Sequence, residues 1–294
     1  EQEHGSVLRG ALKLRASRGK RTRRSPSPRT PRSLFLTPKK GLAKLVDALE
    51  AHLVANGIKI HLNEGVETLS RSEDGYQLVS QQGTAQFDGL ILATPAFISS
   101  RLLRPLSNSL ADQLVDIDYA STATVNLAYR SSDVAEKLSG YGYVIPKVEA
   151  RSALACTWTS TKFPHRAPEG TALVRVFIGR AGEQQALEKS DEGLIAEAQQ
   201  ELARTIGINQ EPHRIRLTRW PEAMPQYNVG HNRRVQNLME NAAGLPGIEL
   251  AGAGYHGIGI PDCINSGRQA ARRLLAESHI PTADSFREKQ ENGS

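Results

Sequence analysis

The sequence is poor in cysteine and aromatic residues, and it has no long uninterrupted hydrophobic run. Its two cysteines, Cys156 and Cys263, lie far apart in a chain of 294 residues. A disulfide framework or a cysteine-based metal site is therefore not expected. No apolar stretch approaches the ~20 residues that a membrane-spanning helix requires, and no secretory signal pattern is seen. These absences predict a globular protein of the reducing cytoplasm.

Acidic residues are missing from one segment, which accounts for the basic character of the whole chain. Ten of the 37 Lys and Arg residues lie within residues 9–32, where there is no Asp or Glu, so the rest carries 27 basic against 31 acidic residues. The Pro, Ser and Arg of residues 15–33 predict a disordered loop. Contact with anionic phospholipid and weak nucleic-acid binding are alternatives to a solvated loop. Nucleic-acid binding by the folded part is not expected, because its charge is not basic.

The hydrophobic periodicity predicts a mixed fold in which one lobe interrupts another. A helix is predicted from residue 42 to about residue 56, followed by a strand over residues 58–62. Three further strands are predicted, with tight turns at residues 72–75 and 81–84. A last apolar strand begins at residue 90 and ends in Ala-Thr-Pro.

Strand patterns dominate the middle of the chain, which predicts a separate lobe with a mixed sheet of antiparallel character. Helices are predicted over residues 97–110 and 191–206, and another follows the lobe and ends at Asn241. The predicted strands of the lobe cover residues 122–130, 141–146, 153–160, 173–179 and 214–220.

The most informative motif follows this lobe. An apolar strand pattern over residues 248–251 is followed by a glycine-rich loop, and a helix is predicted from Pro261. Glycines let a backbone approach a ligand closely, and a helix N-terminus offers free N–H groups to negative charge. A G-x-G-x-x-G pattern runs from Gly252 to Gly257, but the chain after it does not follow the usual dinucleotide arrangement. The motif predicts a site for a phosphate or another electron-rich group, and an ordinary glycine-rich connection is the alternative.

Residues 250–271, which read LAGAGYHGIGIPDCINSGRQAA, resemble the carboxy-terminal flavin motif of the protoporphyrinogen oxidases. That family belongs with the flavin amine oxidases and phytoene desaturases. Residues 219–231, RWPEAMPQYNVGH, and the run from Phe35 to Val66 resemble further segments of the same family. The resemblance implies part of a two-dinucleotide-fold FAD-binding domain with an inserted mixed-sheet substrate domain, an α/β fold of mixed α+β type.

The resemblance also implies how the chain divides. The family begins with a strand–Gly-x-Gly-x-x-Gly–helix unit that this sequence does not show, so we expect the carboxy-terminal part of a longer oxidase. The expected segments are a helical-lobe remnant over residues 1–14, the basic loop 15–33, FAD-binding parts over 34–100 and 231–277, the substrate domain over 101–230, and a polar tail over 278–294.

FAD is the cofactor that the resemblance implies. Val66 would contact the adenine through its backbone, and Trp220 would contact the flavin. Neither a dedicated catalytic residue nor a metal ligand is expected, because the cofactor supplies the redox chemistry. The residues predicted to bind FAD are Val66, Trp220, Gly252, Ile258, Gly259 and Ile260, the last three through the backbone at the positive end of the helix.

The residues themselves leave simpler alternatives for these positions. Val66 could be a buried strand residue, and Trp220 and Tyr227 could anchor a crossing segment in the core. His231 lies in a polar stretch, and we expect it to be solvated or to cap a helix rather than to act as a base.

The activity implied by the resemblance is the oxygen-dependent oxidation of protoporphyrinogen IX or coproporphyrinogen III in haem biosynthesis. Its partners would be the porphyrinogen and O₂, and contact with the inner face of a membrane and homodimer formation are further implications. An amine oxidase or carotenoid desaturase is the rival enzyme, but the PQY…GH and GIPDCI strings favour the porphyrinogen branch. A non-catalytic remnant or an interaction module is the alternative outside the enzymes.

Overall fold

The computed structural model describes residues 36–73, 75–183 and 187–277. The predictions for residues 1–14, 15–33 and 278–294 lie outside these ranges. The chain divides into two units, Glu1–Val46 and Asp47–Ser294. The predicted mixture of helices and strands is confirmed, whereas the predicted domain boundaries stay predictions.

The first helix, α1 (Ala43–Ala55), forms where the periodicity predicts it, but no residue along it is buried. The strand predicted over residues 58–62 is wrong, because these residues pair with no strand in the described part of the chain. A strand requires a neighbour for its backbone N–H and C=O groups, and alternating Ile58, Ile60 and Leu62 do not supply one. All three of these side chains are exposed.

Two small sheets follow α1. The predicted strands and turns form an antiparallel sheet of β1 (Val66–Ser72), β2 (Gly75–Ser80) and β3 (Gly83–Phe87). The next strand, β4 (Leu90–Leu92), pairs in parallel with β10 (Ile248–Leu250) from the far end of the chain. The glycine-rich motif is therefore brought back beside the Ala-Thr-Pro turn.

The helix predicted over residues 97–110 is two helices, α2 (Ala96–Leu103) and α3 (Asn108–Val115). The break contains Pro105, which has no N–H to donate and disfavours a helical conformation in the residue before it. Ser107 then caps α3, because its side chain accepts a hydrogen bond from the Leu110 N–H.

The middle of the chain forms one antiparallel sheet of five strands, β5 (Tyr119–Arg130), β6 (Gly142–Val144), β7 (Ala153–Trp158), β8 (Thr171–Ile178) and β9 (Arg214–Pro225). Their order across the sheet is β6-β7-β8-β5-β9. Alternate side chains of these strands, Val174 and Val176 among them, are buried in a cluster with helix α6 (Asp191–Ile206). Ser190 caps the start of α6 and Gly207, at φ +69°, ends it, as expected from their residue types. Two short helices between the strands are α4 (Ser131–Val134) and α5 (Thr159–Lys162).

The last strand of this sheet is longer than predicted, because β9 continues past Trp220 to Pro225. The register of β9 with β5 shifts between Ala120 and Thr122, and this irregularity accommodates Pro221, which has no N–H to donate to the neighbouring strand. The crossing segment, residues 226–230, then leads to α7 (His231–Ala242), which ends one residue after the predicted Asn241. The last helix, α8 (Ile260–Glu277), begins one residue before the predicted Pro261.

A second cluster of buried side chains lies around β1, β4, β10 and helices α2, α3 and α7. This cluster holds the β4–β10 pair in place at the base of the glycine-rich motif. None of the helices within the described residues has the length and hydrophobicity needed to cross a bilayer.

Candidate functional site

The parallel β4–β10 pair brings the Ala-Thr-Pro turn after β4 and the glycine-rich loop after β10 to the same end of the pair. Leu90 lies opposite Ile248 in the pair, and the Ala251 N–H extends it by donating to the Leu92 carbonyl at 3.0 Å. Ligands of open α/β sheets bind in the crevice beyond the carboxyl ends of such strands. The glycine-rich motif therefore begins at the edge where a cofactor site is expected.

Most glycines of this motif are required by close contacts within the protein. A Cβ at Gly254 would lie 2.8 Å from the Tyr119 hydroxyl oxygen, and a Cβ at Gly257 would lie 2.6 Å from the Asp262 Cβ. Gly259 is limited in the same way by the Asp262 carboxylate, at 2.8 Å. The glycines thus let the loop fold over the first turn of α8.

Gly252 differs from these three. Its φ of +119° requires glycine, yet a Cβ at this position would have the Ala93 carbonyl oxygen as its nearest neighbour, at 3.7 Å. The Gly252 N–H donates to the Ser266 hydroxyl at 3.1 Å, which joins the loop to α8. The backbone at Gly252 therefore passes close to the end of β4 with space beside it.

The N-terminus of α8 presents backbone N–H donors that the described part of the protein does not use. Among the described residues, no acceptor takes a hydrogen bond from the N–H groups of Ile258, Gly259 or Ile260. The Ile258 and Ile260 side chains beside them are 60% and 46% exposed. Free N–H groups at the positive end of a helix, flanked by exposed apolar side chains, suit an electron-rich ring edge. These residues fit a flavin.

Tyr227, from the crossing segment, fastens the glycine-rich loop. Its hydroxyl donates to the Ala253 carbonyl and accepts from the Gly257 N–H, both at 2.7 Å. Burial raises the pKa of Tyr227 above 10.0, although the hydrogen bond from Gly257 works in the opposite direction. The interpretation of Tyr227 as an anchor is supported, but its partner is the loop backbone rather than a hydrophobic core.

His231 is buried, whereas the sequence predicts a solvated residue or a helix cap. Its Nε2 lies 2.9 Å from the Tyr255 carbonyl oxygen, and its ring stacks on Tyr227 at 3.9 Å between ring centroids. The polar neighbours of His231 in the sequence give no sign of this burial, because the tertiary contact comes from the loop 24 residues later. His231 is a supporting residue of the loop.

Tyr227→Phe is expected to lower the free energy of unfolding by about 1–2 kcal/mol, because two backbone groups of the loop lose their hydrogen-bond partner. Retention of flavin during gel filtration should fall as well, since the loop leads into the N-terminus of α8. Denaturant unfolding measures the first effect. Tyr141→Phe is the control, because Tyr141 is 67% exposed. Equal stability of the two variants would contradict the anchoring role.

Trp220 lies on the face of the five-stranded sheet that does not pack on α6. It is 48% exposed, and its indole N–H donates to the Thr124 hydroxyl at 3.3 Å. This exposure contradicts the alternative that Trp220 is a core anchor. Trp220, Phe177 and Met224 help to line an open cavity of about 960 Å³.

Tyr119 connects the five-stranded sheet with the glycine-rich loop. It is the first residue of β5, and its hydroxyl accepts a hydrogen bond from the Ala96 N–H at 3.0 Å. The same oxygen is the close neighbour of Gly254. The start of β5, in the sheet that carries Trp220, is thus fixed against the loop that leads to α8.

Val66 lies apart from these residues, in a smaller cavity of about 330 Å³. Its exposure of 40% contradicts the alternative of a buried strand residue. Sequence reasoning missed two polar neighbours in this cavity, Glu64 and Ser80, whose carboxylate and hydroxyl oxygens are 2.6 Å apart. The hydrogen bond from Ser80 lowers the pKa of Glu64. The sequence signal that could have indicated this polar pair is the acidic residue Glu64, two residues before the start of β1.

Fold and site together indicate an oxidoreductase with a flavin-type cofactor and a cavity walled by the five-stranded sheet. The chain belongs to the flavin-containing amine oxidoreductase family, whose family model matches residues 1–275. The predicted family and cofactor class are thereby confirmed. Groups of three or more metal-ligating side chains are absent from the described ranges.

Similar proteins are named as porphyrinogen oxidases. The chain is 34% identical to the coproporphyrinogen III oxidase of Bacillus subtilis (strain 168) over 277 residues, covering 94% of this chain and 57% of that protein. It is 32% identical to the protoporphyrinogen oxidase of Bos taurus, covering 94% and 59%. A crystal structure from Exiguobacterium sp. 255-15, provisionally named a protoporphyrinogen oxidase, matches with a TM-score of 0.78 at 30% identity, covering 94% and 57%. The chain therefore spans somewhat more than half the length of these relatives.

Proposed function

We propose that this chain is part of a porphyrinogen oxidase that uses FAD and O₂ to oxidise coproporphyrinogen III or protoporphyrinogen IX. The observation that carries the proposal is the cavity of about 960 Å³ on the sheet face that carries Trp220, lined by apolar and basic side chains. A flat macrocycle with an apolar body and carboxylate side chains requires such a surface. The names of the relatives support the same substrate class.

The protein's own residues bind and orient the reactants. Bound FAD would supply the redox chemistry, accepting electrons from the substrate and passing them to O₂. The free N–H groups of Ile258, Gly259 and Ile260 would hold the ring edge where negative charge develops. Trp220 would place the macrocycle against that ring and exclude water from it. Gly252 would let the backbone approach the cofactor, and Val66 would contact its adenine.

The environment of the enzyme is also a proposal. We infer a cytoplasmic protein that contacts the inner face of the membrane peripherally, with O₂ as the second substrate and a homodimer as the assembly. The proposed FAD-binding parts are residues 34–100 and 231–277, with the substrate domain at residues 101–230. A greasy substrate that partitions into bilayers favours an enzyme near the membrane surface.

Conversion of a porphyrinogen into a fluorescent porphyrin tests the function. The purified flavoprotein is expected to produce porphyrin and hydrogen peroxide from at least one of the two porphyrinogens in air. Trp220→Ala should lower kcat/KM about 10–100-fold, because an aromatic contact worth about 1.5–3 kcal/mol is removed. Tyr141→Ala, at an exposed aromatic residue outside the cavity, is the matched control. Absence of porphyrin formation from both substrates would contradict the proposed function.

A further inference from the structure

One face of the five-stranded sheet carries a row of arginines. In β8, Val174 and Val176 point into the core beneath the sheet, so Arg175 between them points into the cavity. In β9, Arg214 and Arg216 point to the same side. The alternation that buries one face of the sheet thus places guanidinium groups on the other.

Strand register brings these arginines together. Asn126 of β5 lies opposite Arg175 of β8 on one side and opposite Arg216 of β9 on the other. The Arg175 Nε donates to Asn126 Oδ1 at 2.7 Å, and Asn126 Nδ2 donates to the Arg216 carbonyl at 3.3 Å. Asn126 therefore holds the Arg175 side chain through Nε. Within the described residues, the two terminal nitrogens of Arg175 donate to no protein acceptor.

The lining of this cavity is strongly basic. It includes Arg166, Arg175, Arg214 and Arg216, and no Asp or Glu is among the lining residues. No carboxylate in the described part of the chain forms an ion pair with Arg175, Arg214 or Arg216. Burial, and then the charge of Arg166, lower the pKa of Arg175. An anionic ligand would offset the repulsion between these like charges gathered on one face of the sheet.

Arginines on the opposite face of the same lobe are matched with acids. Arg219 is the next arginine after Arg216 along β9, but its side chain lies on the opposite face of the sheet. It pairs there with Asp191 at 2.7 Å. Arg151 pairs with Glu201 at 3.0 Å. The cavity arginines of β8 and β9 are therefore a distinct group, placed where the described part of the protein offers no carboxylate.

The spacing suits a flat polycarboxylate. Trp220 and Arg216 lie four residues apart on one strand, which corresponds to about 13 Å at ~3.3 Å per residue. A macrocycle whose reacting edge lies at Trp220 would extend its carboxylate side chains towards the arginine row. Guanidinium groups bind carboxylates through paired, charge-assisted hydrogen bonds.

We propose that Arg175 and Arg216, with Arg166 and Arg214 beside them, bind the carboxylates of the porphyrinogen and favour a tetracarboxylate over a dicarboxylate. This inference rests on the proposed function and specifies its substrate. Coproporphyrinogen III carries four carboxylates and protoporphyrinogen IX carries two. The arginine row would therefore make coproporphyrinogen III the preferred substrate.

Fluorescence titration with the oxidised porphyrins tests the site without requiring turnover. Wild-type protein is expected to bind coproporphyrin III more tightly than protoporphyrin IX. Arg175→Gln and Arg216→Gln should each raise the Kd for coproporphyrin III about tenfold, since each removes charge-assisted hydrogen bonds. Arg175→Lys should lie between Arg175→Gln and the wild type, because it keeps the charge without the paired donors. Raised salt should weaken wild-type binding.

Arg204→Gln is the matched control, because this residue lies on α6, on the other side of the sheet, and is exposed. It should change the Kd less than twofold. Arg216 is also exposed, so its substitution should leave the unfolding midpoint unchanged and keep the test valid if Arg175→Gln unfolds. Unchanged coproporphyrin III affinity in Arg216→Gln and in Arg175→Lys would overturn the proposal.

Failure of the two proposals can be told apart. Arginine-dependent binding of coproporphyrin III without oxidation of either porphyrinogen would contradict the proposed function and support the carboxylate site. Oxidation with binding that does not depend on the arginines would support the function and overturn the site.

Discussion

Gly257→Ala is expected to lower the free energy of unfolding by about 2–6 kcal/mol and to abolish flavin retention. Two penalties combine at this position. Its φ of +150° is strained for any residue with a side chain, which costs about 1–3 kcal/mol. The added Cβ would also lie 2.6 Å from the Asp262 Cβ and Cγ, and such overpacking costs about 1–3 kcal/mol. The loop would have to move away from the first turn of α8, where the flavin is expected.

Gly267→Ala is the control for this experiment. Gly267 lies inside α8, and a Cβ there would meet nothing within 4 Å. Alanine favours a helix interior over glycine by about 1 kcal/mol, so this variant should be slightly more stable than the wild type. Denaturant unfolding and the flavin content of the purified protein measure both variants. If Gly257→Ala matched Gly267→Ala, the loop would not depend on the close packing described above.

The sequence predicts correctly the elements whose signals are local. Helix α6 has apolar residues at helical spacing, a serine before its start and Gly207 after its end, and each of these acts within a few residues. The glycine-rich loop is predicted for the same reason. Its sequence suggests that the glycines make room for a ligand, but in the structure Gly257 and Gly259 mainly make room for Asp262.

Predictions fail where the outcome depends on distant partners. Residues 58–62 alternate as a strand does, yet alternation supplies no neighbouring strand. The burial of His231 depends on Tyr227 and on the carbonyl of Tyr255, which the polar local sequence does not reveal. The arginines that we propose as carboxylate ligands escape sequence reasoning because Arg175 and Arg216 become neighbours only through the register of both strands with Asn126.

The pair of Glu249 and Arg273 holds α8 against β10, and its loss is expected to displace the helix that we propose to face the flavin. Glu249 lies on β10 with its side chain 10% exposed, and Arg273 binds both of its carboxylate oxygens at 2.7–3.0 Å. Arg273→Met should lower the free energy of unfolding by about 2–4 kcal/mol. The variant leaves a buried carboxylate without this partner, and the half-exposed position of Arg273 keeps the loss below that of a fully buried pair.

The double variant Glu249→Met/Arg273→Met separates charge from packing. If the loss in Arg273→Met comes from the stranded carboxylate, replacing Glu249 as well should recover more than half of it, because no buried charge then remains. The pKa of His256 provides an independent measurement. Burial lowers this pKa below 6.5, and the charges of Arg273 and His231 lower it further. In Arg273→Met, an NMR titration should therefore find the His256 pKa raised towards 6.5. An unchanged pKa, or a double variant as unstable as the single one, would contradict the explanation through the stranded carboxylate.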